Sequence, residues 1–309
     1  MAGPLIASSP AGSGVKTRAA ALSIASNSIL ILLKITAGAI TGSVAIITEA
    51  MHSSVDLIAS VVAYVSVRTA DKPADAEHPY GHDKIENLAA AIEAMLILVG
   101  AGVIVFESVR RLSSGAQVHS LGVGIGVIAF SVLANVVVST VLARRARETD
   151  SPALEADAAH LRTDAATSAA VLVGLLLVEL TGAAWLDPLI ALSVAGAIVY
   201  AGIKLLLRAS RVLVDEALPP EELDAVREAI ELFGPRGVRG YHKLRARRAG
   251  SRRYVDLHVQ FAGGTTLEVA HATAHQLQDA IRERLRGADV LIHLEPEASL
   301  HPGTELELH

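Results

Sequence analysis

The sequence predicts a multi-pass α-helical membrane domain with six transmembrane helices, followed by a small α+β domain of order αββαβ. Three observations lead there. Of the 309 residues, 51% are hydrophobic and the mean hydropathy is positive, above the usage of an ordinary water-soluble domain. Apolar stretches near the roughly twenty residues needed to cross a bilayer recur from residue 18 to residue 208 and then stop. From about residue 212 the pattern changes to short amphipathic elements of alternating helical and strand period.

Taken in order, residues 1–15 are mostly Gly, Ser, Ala and Pro, with no basic start ahead of an apolar core. That predicts a disordered tail rather than a cleavable signal. The apolar segments fall at 18–41, 44–67, 86–110, 119–143, 155–181 and 187–208. Gly42 separates the first two, and Asp187-Pro188 opens the sixth with a capping residue and a proline at the first helical position. Ala, Val, Leu, Ile and Gly dominate while aromatics are only 3%, a composition suited to helices that approach closely through small side chains. Lys34, Glu93, Asn135 and Glu179 interrupt the segments.

Basic residues beside the spans set the orientation. Lys16, Arg18, Arg68, Lys72, Lys84, Arg144, Arg145, Arg147, Lys204, Arg208 and Arg211 lie on one side, against Arg110 and Arg111 on the other. The richer side is read as cytoplasmic, with both termini and the connection 69–85 inside. The domains are therefore 16–211 in the membrane and 212–300 in the cytosol, with a second tail over 301–309.

In the second domain, LPPEELDAVREAIELFG reads as an amphipathic helix opened by prolines and closed by Gly234. VRGYHKLRARRAG and RRYVDLHVQFAG alternate around Gly250-Ser251 as a hairpin, LEVAHATAHQLQDAIRERLRG is a second helix, and ADVLIHLEPE a third strand.

Composition excludes several function classes. The formal charge of −5, with Lys and Arg scattered, builds no nucleic-acid surface. The absence of cysteine rules out disulfides and thiolate metal sites, so any metal is held by imidazole and carboxylate, a set suited to zinc and its divalent neighbours. No HExxH motif is present.

The candidate ligands come in three groups. His52 and Asp56 are four apart in the second apolar segment, and His160 and Asp164 repeat the device in the fifth. On helices, that spacing stacks each pair on one face. One such pair could simply bond two helices together. Two pairs favour an ion site, because carboxylates at bilayer depth mark ion pathways, and two imidazoles with two carboxylates make a tetrahedral set that zinc accepts. Metal requires neutral imidazole, so metal and proton compete for the site. The second group is Asp75, His78 and His82, in the connection around a Pro-Tyr-Gly turn. The third is His242, His258, His271, His275, His293 and Glu295 in the second domain. Glu49, Glu93 and Glu107 are read as hydrogen-bonding groups without a site, and His301 and His309 as solvated.

The ordered set TGSVAIITEAMHSSVDLIAS, KPADAEHPYGHDKIE, HLRTD, DEALP and GVRGYHKLRARRAG to VLIHLEP, over residues 16–299, resembles the cation diffusion facilitator family, dimeric transporters of divalent metals. The resemblance implies a transport site of His52, Asp56, His160 and Asp164 and a loop site of Asp75, His78 and His82. It further implies a zinc site at the dimer interface from His242, His258, His271, His293 and Glu295. Lys84 and Asp215 fall where some members pair charges to hold the protomers together. The cytosolic domain is then expected to be ferredoxin-like and metallochaperone-like. His52 stands where bacterial iron- and zinc-exporting members commonly have Asp, which shifts preference toward zinc, cadmium or cobalt and away from manganese or iron. Glu295 replaces an Asp often found there.

The expected function is export of Zn²⁺ from the cytosol in exchange for protons by a homodimer in a bacterial inner membrane, with zinc also structural or regulatory in the cytosolic domain. The rivals are the same transporter carrying Fe²⁺, Mn²⁺, Co²⁺ or Cd²⁺, a membrane-anchored metal sensor, and an intramembrane metallohydrolase.

Overall fold

The computed structural model describes residues 10–41, 44–114, 122–183 and 185–297. The tail read over 301–309, and the side chains of Glu49 and His52, fall outside the described residues. Two compact units result, Met1–Ser210 and Arg211–His309.

Six long helices make the first unit: α1 (Pro10–Thr41), α2 (Val44–Ala70), α3 (Lys84–Ser114), α4 (Gly122–Thr149), α5 (Pro152–Thr181) and α6 (Leu186–Leu213). Helix α1 begins at Pro10, inside the stretch read from sequence as a tail, with proline at the first helical position where its missing N–H is harmless. Helix α4 runs six residues past the apolar segment, through Arg144, Arg145 and Arg147, because those side chains are helix formers whose exposed guanidinium groups pair with Glu148 or a helix carbonyl. Helix α1 packs on α2 and α4, α4 on α5, and α3 on α2 and α5.

The distribution of polarity in this unit is inverted relative to a water-soluble bundle. Ile29, Leu32, Ile35, Ile58, Val99, Phe106, Leu133 and Tyr200 are exposed on its outside, while Ser23, Asn27, Lys34, Asp56, Glu86, Glu93, Asp157, His160 and Asp164 are buried within. Only a hydrocarbon surround makes that arrangement favourable over the whole outer surface. The interior packs through alanine: Ala20, Ala59, Ala63, Ala89, Ala90, Ala153 and Ala158 bring the backbones close.

Among the described residues, four helices carry a stretch long and apolar enough to cross a membrane: Gly14–Ala37, Lys84–Arg110, Gly126–Thr149 and Pro188–Leu213. These belong to α1, α3, α4 and α6. Helix α5 concentrates Glu155, Asp157, Arg162 and Asp164 in its first half. Helices α2 and α5 carry the candidate ligand pairs.

The second unit is a three-stranded sheet with two helices on one face. Its elements are α7 (Pro220–Glu231), a 3-10 turn at Gly234–Arg236, β1 (Val238–Ala249), β2 (Arg252–Phe261), α8 (Leu267–Arg284) and β3 (Ala288–Pro296). The sheet order is β1-β2-β3, antiparallel then parallel. Helix α7 stops at Glu231, ahead of Gly234; the left-handed residue that turns the chain into β1 is Gly237, with φ 97°. Gly250 takes φ 55° in the two-residue hairpin turn, where only glycine is unstrained in most contexts. Thr266 caps α8 by accepting from the Val269 N–H.

Val255, Leu257, Val259 and Phe261 of β2 interlock with Val226 and Ile230 of α7 and Leu277 and Ile281 of α8 as one core. The alternate residues His258 of β2 and His293 and Glu295 of β3 therefore project from the sheet face that carries no helix. Arg253, buried at the start of β2, is held by a bidentate pair with Glu222 of α7, at 3.1 and 3.0 Å.

Candidate metal centres

Among the described residues, three groups of imidazole and carboxylate side chains converge, each with ligand atoms within 4.8 Å of one another. The first lies in the helical unit. Asp56 of α2 and His160 and Asp164 of α5 are all buried. The His160 Nε2 sits 3.4 Å from Asp56 Oδ1 and 3.8 Å from Asp164 Oδ2. Both ring nitrogens of His160 are buried without a hydrogen bond, a costly state for an imidazole unless something else takes its lone pair. Two carboxylates and an imidazole around one point suit a divalent cation such as Zn²⁺. His52 precedes Asp56 by one turn on the same face of α2, and its side chain is outside the described residues.

A polar lining supports this group. Asn27 of α1 donates to the Asp56 carbonyl at 3.5 Å and to Ser60 Oγ at 2.8 Å. Ser23 and Ser60 hydrogen-bond each other at 2.9 Å, and both approach Asp157 Oδ1, at 3.1 and 3.4 Å. Nearer the start of α3, Glu86 accepts from Lys16 at 2.8 Å and from Ser151, so a buried ion pair with a hydroxyl partner joins α1, α3 and α5. Sequence reasoning missed Asp157 and Glu86. The signal for Asp157 was available, since it precedes His160 by three residues and shares its helix face.

The second group is the connection between α2 and α3. Asp75 Oδ1 accepts the backbone N–H groups of Glu77 at 3.0 Å and His78 at 2.7 Å, an Asx turn that folds the loop on itself. The hydrogen bond from the His78 N–H is the main reason its carboxyl lies below the ordinary range. His78 Nδ1 lies 3.4 Å from Asp75 Oδ1 and His82 Nε2 3.3 Å from Oδ2, with the two imidazole rings 4.6 Å apart. Gly81, at φ 87°, makes the turn that brings His82 back to Asp75. His82 is buried, and its Nδ1 has no hydrogen-bond partner.

The third group is a row across the sheet. His242, His258 and His293 are register partners on β1, β2 and β3. Glu295 accepts from His242 Nε2 at 2.8 Å and His258 Nδ1 at 2.6 Å, and His293 Nε2 approaches it at 3.6 Å. Burial works against ionisation of Glu295, yet the hydrogen bonds from His242 and His258, with their charge, hold its carboxyl down at about 2. The His258 and His293 rings lie 4.6 Å apart.

A bulge between His242 and Arg245, with Lys243 at φ 51°, shifts the strand by one residue. Tyr241 faces the core before the bulge, and Leu244 and Ala246 face it after. His242 is thereby placed opposite the core without displacing the apolar residues that follow.

His271 does not join this row. It is exposed on α8, in the helix layer, where its Nε2 lies 3.1 Å from Nε2 of His275 one turn on. Asp215 pairs with Arg247 at 2.8 Å within the second unit.

Comparison with known proteins covers nearly the whole chain. The family model for the cation efflux transmembrane domain matches residues 20–214, and that for the cation efflux protein cytoplasmic domain matches residues 218–297. The uncharacterized transporter sll1263 of Synechocystis sp. is 38% identical over 264 residues, 85% of each chain. The cation-efflux pump FieF of Salmonella typhimurium is 34% identical over 285 residues, 91% of this chain and 92% of its own. A solved chain of CzrB, a candidate zinc transporter, shares 34% identity over 28% of this chain and 98% of its own, with a TM-score of 0.26 that assigns no fold.

Proposed function

Because the chain belongs to the cation efflux, or cation diffusion facilitator, family of divalent-metal transporters, which are not enzymes, we propose that it exports Zn²⁺ from the cytosol in exchange for protons. All six long helices would span the membrane, with both termini cytosolic in a bacterial inner membrane, and two copies would pair through their cytosolic domains. Zinc is the cargo at Asp56, His160, Asp164 and His52, and a second, regulatory zinc is held by His242, His258 and Glu295 with His293 beside them.

The single observation that carries this reading is the buried convergence of Asp56, His160 and Asp164 inside a bundle whose outside is apolar. A dication there replaces a proton on His160, since imidazole binds one or the other. Inward-facing, the site takes metal and releases protons. After the helices rock, protons from the other side displace the metal. In the cytosolic domain, His271 stands on the helix layer, away from the sheet row, so it would complete that site only from a second copy. Ligands shared across an interface favour the closed dimer by differential binding.

A reading with manganese or iron as the main cargo uses the same site. The imidazole of His52 disfavours it, because a second nitrogen ligand suits zinc, cadmium or cobalt better.

The test is zinc uptake into sealed vesicles holding the purified protein and a pH dye. Zinc entry with opposite proton movement, abolished in an Asp164→Ala variant that still folds and dimerises, is the expected result. Metal movement without proton movement refutes exchange, and full transport by Asp164→Ala refutes the site.

A further inference from the structure

Nine residues into α3, about 14 Å along its axis from Lys84, Glu93 is wholly buried, and neither of its carboxyl oxygens meets a hydrogen-bond donor. It lies within a stretch long and apolar enough to cross a membrane. Its neighbours along the helix are Ala89, Ala90, Ala94 and Ile97, all buried. The charged group acting on it is another acid, Asp157 of α5. Asp157 is equally buried. Its Oδ1 takes the Ser23 and Ser60 hydroxyls, while its Oδ2 is buried without a partner. The α6 residues packed on α3 include Ile198, Gly202 and Ala209, all without a polar side chain. Among the described residues, this interior also buries Asp56, His160 and Asp164, which belong to the transport site, Lys34, which donates to Ser53 at 2.7 Å, and Lys16 and Glu86, which pair with each other at 2.8 Å.

Two buried carboxyl groups that act on each other electrostatically cannot both be ionised at low dielectric, and the one with no donor at all is the one that must be neutral. A permanently neutral acid with nothing to donate to has no structural role, since leucine would fill the space at lower cost. Asp157 sits one turn before His160 on the same face of α5, so a dication at the transport site acts on the pair at short range through a medium that screens little.

We propose that Glu93 carries an exchangeable proton: its carboxyl is neutral while the transport site is empty and ionised while a divalent metal fills it. On metal binding the Glu93 O–H bond breaks, the electron pair stays on the carboxylate, and the proton leaves to water on the side to which the site is open. On metal release a proton returns. Asp157, held by the two serine hydroxyls, stays fixed between Glu93 and His160 and couples the two events. The proposal rests on the metal–proton exchange reading above and names a group outside the ligand set that performs it.

The experiment uses the full chain in detergent and in vesicles. Zinc binding is titrated calorimetrically in buffers of different ionisation enthalpy, which counts protons released per metal. Wild type and Glu93→Gln, which keeps the side-chain shape, are compared, with Glu93→Asp as the acid-preserving control. The expected result is that Glu93→Gln still binds zinc but releases about one fewer proton per metal, that its zinc flux responds less to an opposing pH gradient, and that Glu93→Asp keeps the wild-type count. An unchanged count in Glu93→Gln overturns the role of Glu93 while leaving exchange intact. No proton release by wild type overturns the exchange reading itself. Should Glu93→Gln fail to assemble, wild type carrying carbon-13 at glutamate carboxyls decides by infrared difference spectroscopy. Zinc must then remove a protonated-glutamate carbonyl band, and a spectrum without that loss overturns the proposal.

Discussion

Replacing Glu295 by alanine should weaken the cytosolic domain before any metal is added. The carboxylate accepts two hydrogen bonds, from His242 at 2.8 Å and His258 at 2.6 Å. The two donors differ in exposure. The His258 side chain is 25% exposed and can turn to water, whereas that of His242 is 6% exposed and is left with an unsatisfied Nε2. An orphaned buried polar group costs about 1–3 kcal/mol, so the net loss should be about 2 kcal/mol. For a domain of about 100 residues, each kcal/mol moves the midpoint by about 4–8 °C, which predicts a fall of about 8–16 °C. The assay is thermal unfolding of the isolated domain 211–309, which has its own core, followed by circular dichroism with and without zinc. Zinc should raise the wild-type midpoint by mass action and leave the variant unmoved. A metal-free variant that melts with wild type would show that Glu295 does not hold the histidine row together. A variant that zinc still stabilises would remove it from the ligand set.

Three further outcomes follow from the same geometry. His52→Asp should raise manganese transport relative to zinc, and unchanged selectivity in a competition flux assay would remove the metal preference from that position. The Glu295 carboxyl sits at about 2 against an ordinary 4.5, so between those values the unfolded chain binds more protons. Its stabilisation is then full above about 4.5 and is lost as pH falls through 2; the stability gap between wild type and Glu295→Gln, measured by urea unfolding, should shrink across that window, and a constant gap contradicts it. Leu277, fully buried between α8 and the sheet, should cost about 2–5 kcal/mol when changed to alanine, read as a lower urea midpoint at unchanged slope.

Much of the site was legible as spacing. Asp56, and the pair His160 and Asp164, are positions on helix faces, and a repeat of four residues fixes such a face whatever the helix later packs against. The Asp75 to His82 loop was legible for a similar reason, because the Asx turn and Gly81 act within eight residues. In the cytosolic domain the residue types were visible but their grouping was not. His242, His258 and Glu295 come from three strands, and the register that aligns them is set by pairing and by a bulge at Lys243 that no alternation pattern reveals. His271 and His275 looked like members of the same set, yet the two-layer packing puts them on the helix side.

The sequence by itself determined a membrane-spanning helical domain, a small αββαβ partner and the identity of the ligand chemistry, because composition, period and spacing are properties of the chain alone. Only the tertiary structure decided that Glu93, read from sequence as a hydrogen-bonding group, is wholly buried with no hydrogen bond to either carboxyl oxygen and feels the charge of Asp157. Burial and the choice of neighbour depend on which helix faces meet, and Glu93 and Asp157 are separated by some sixty residues of chain before α3 packs on α5.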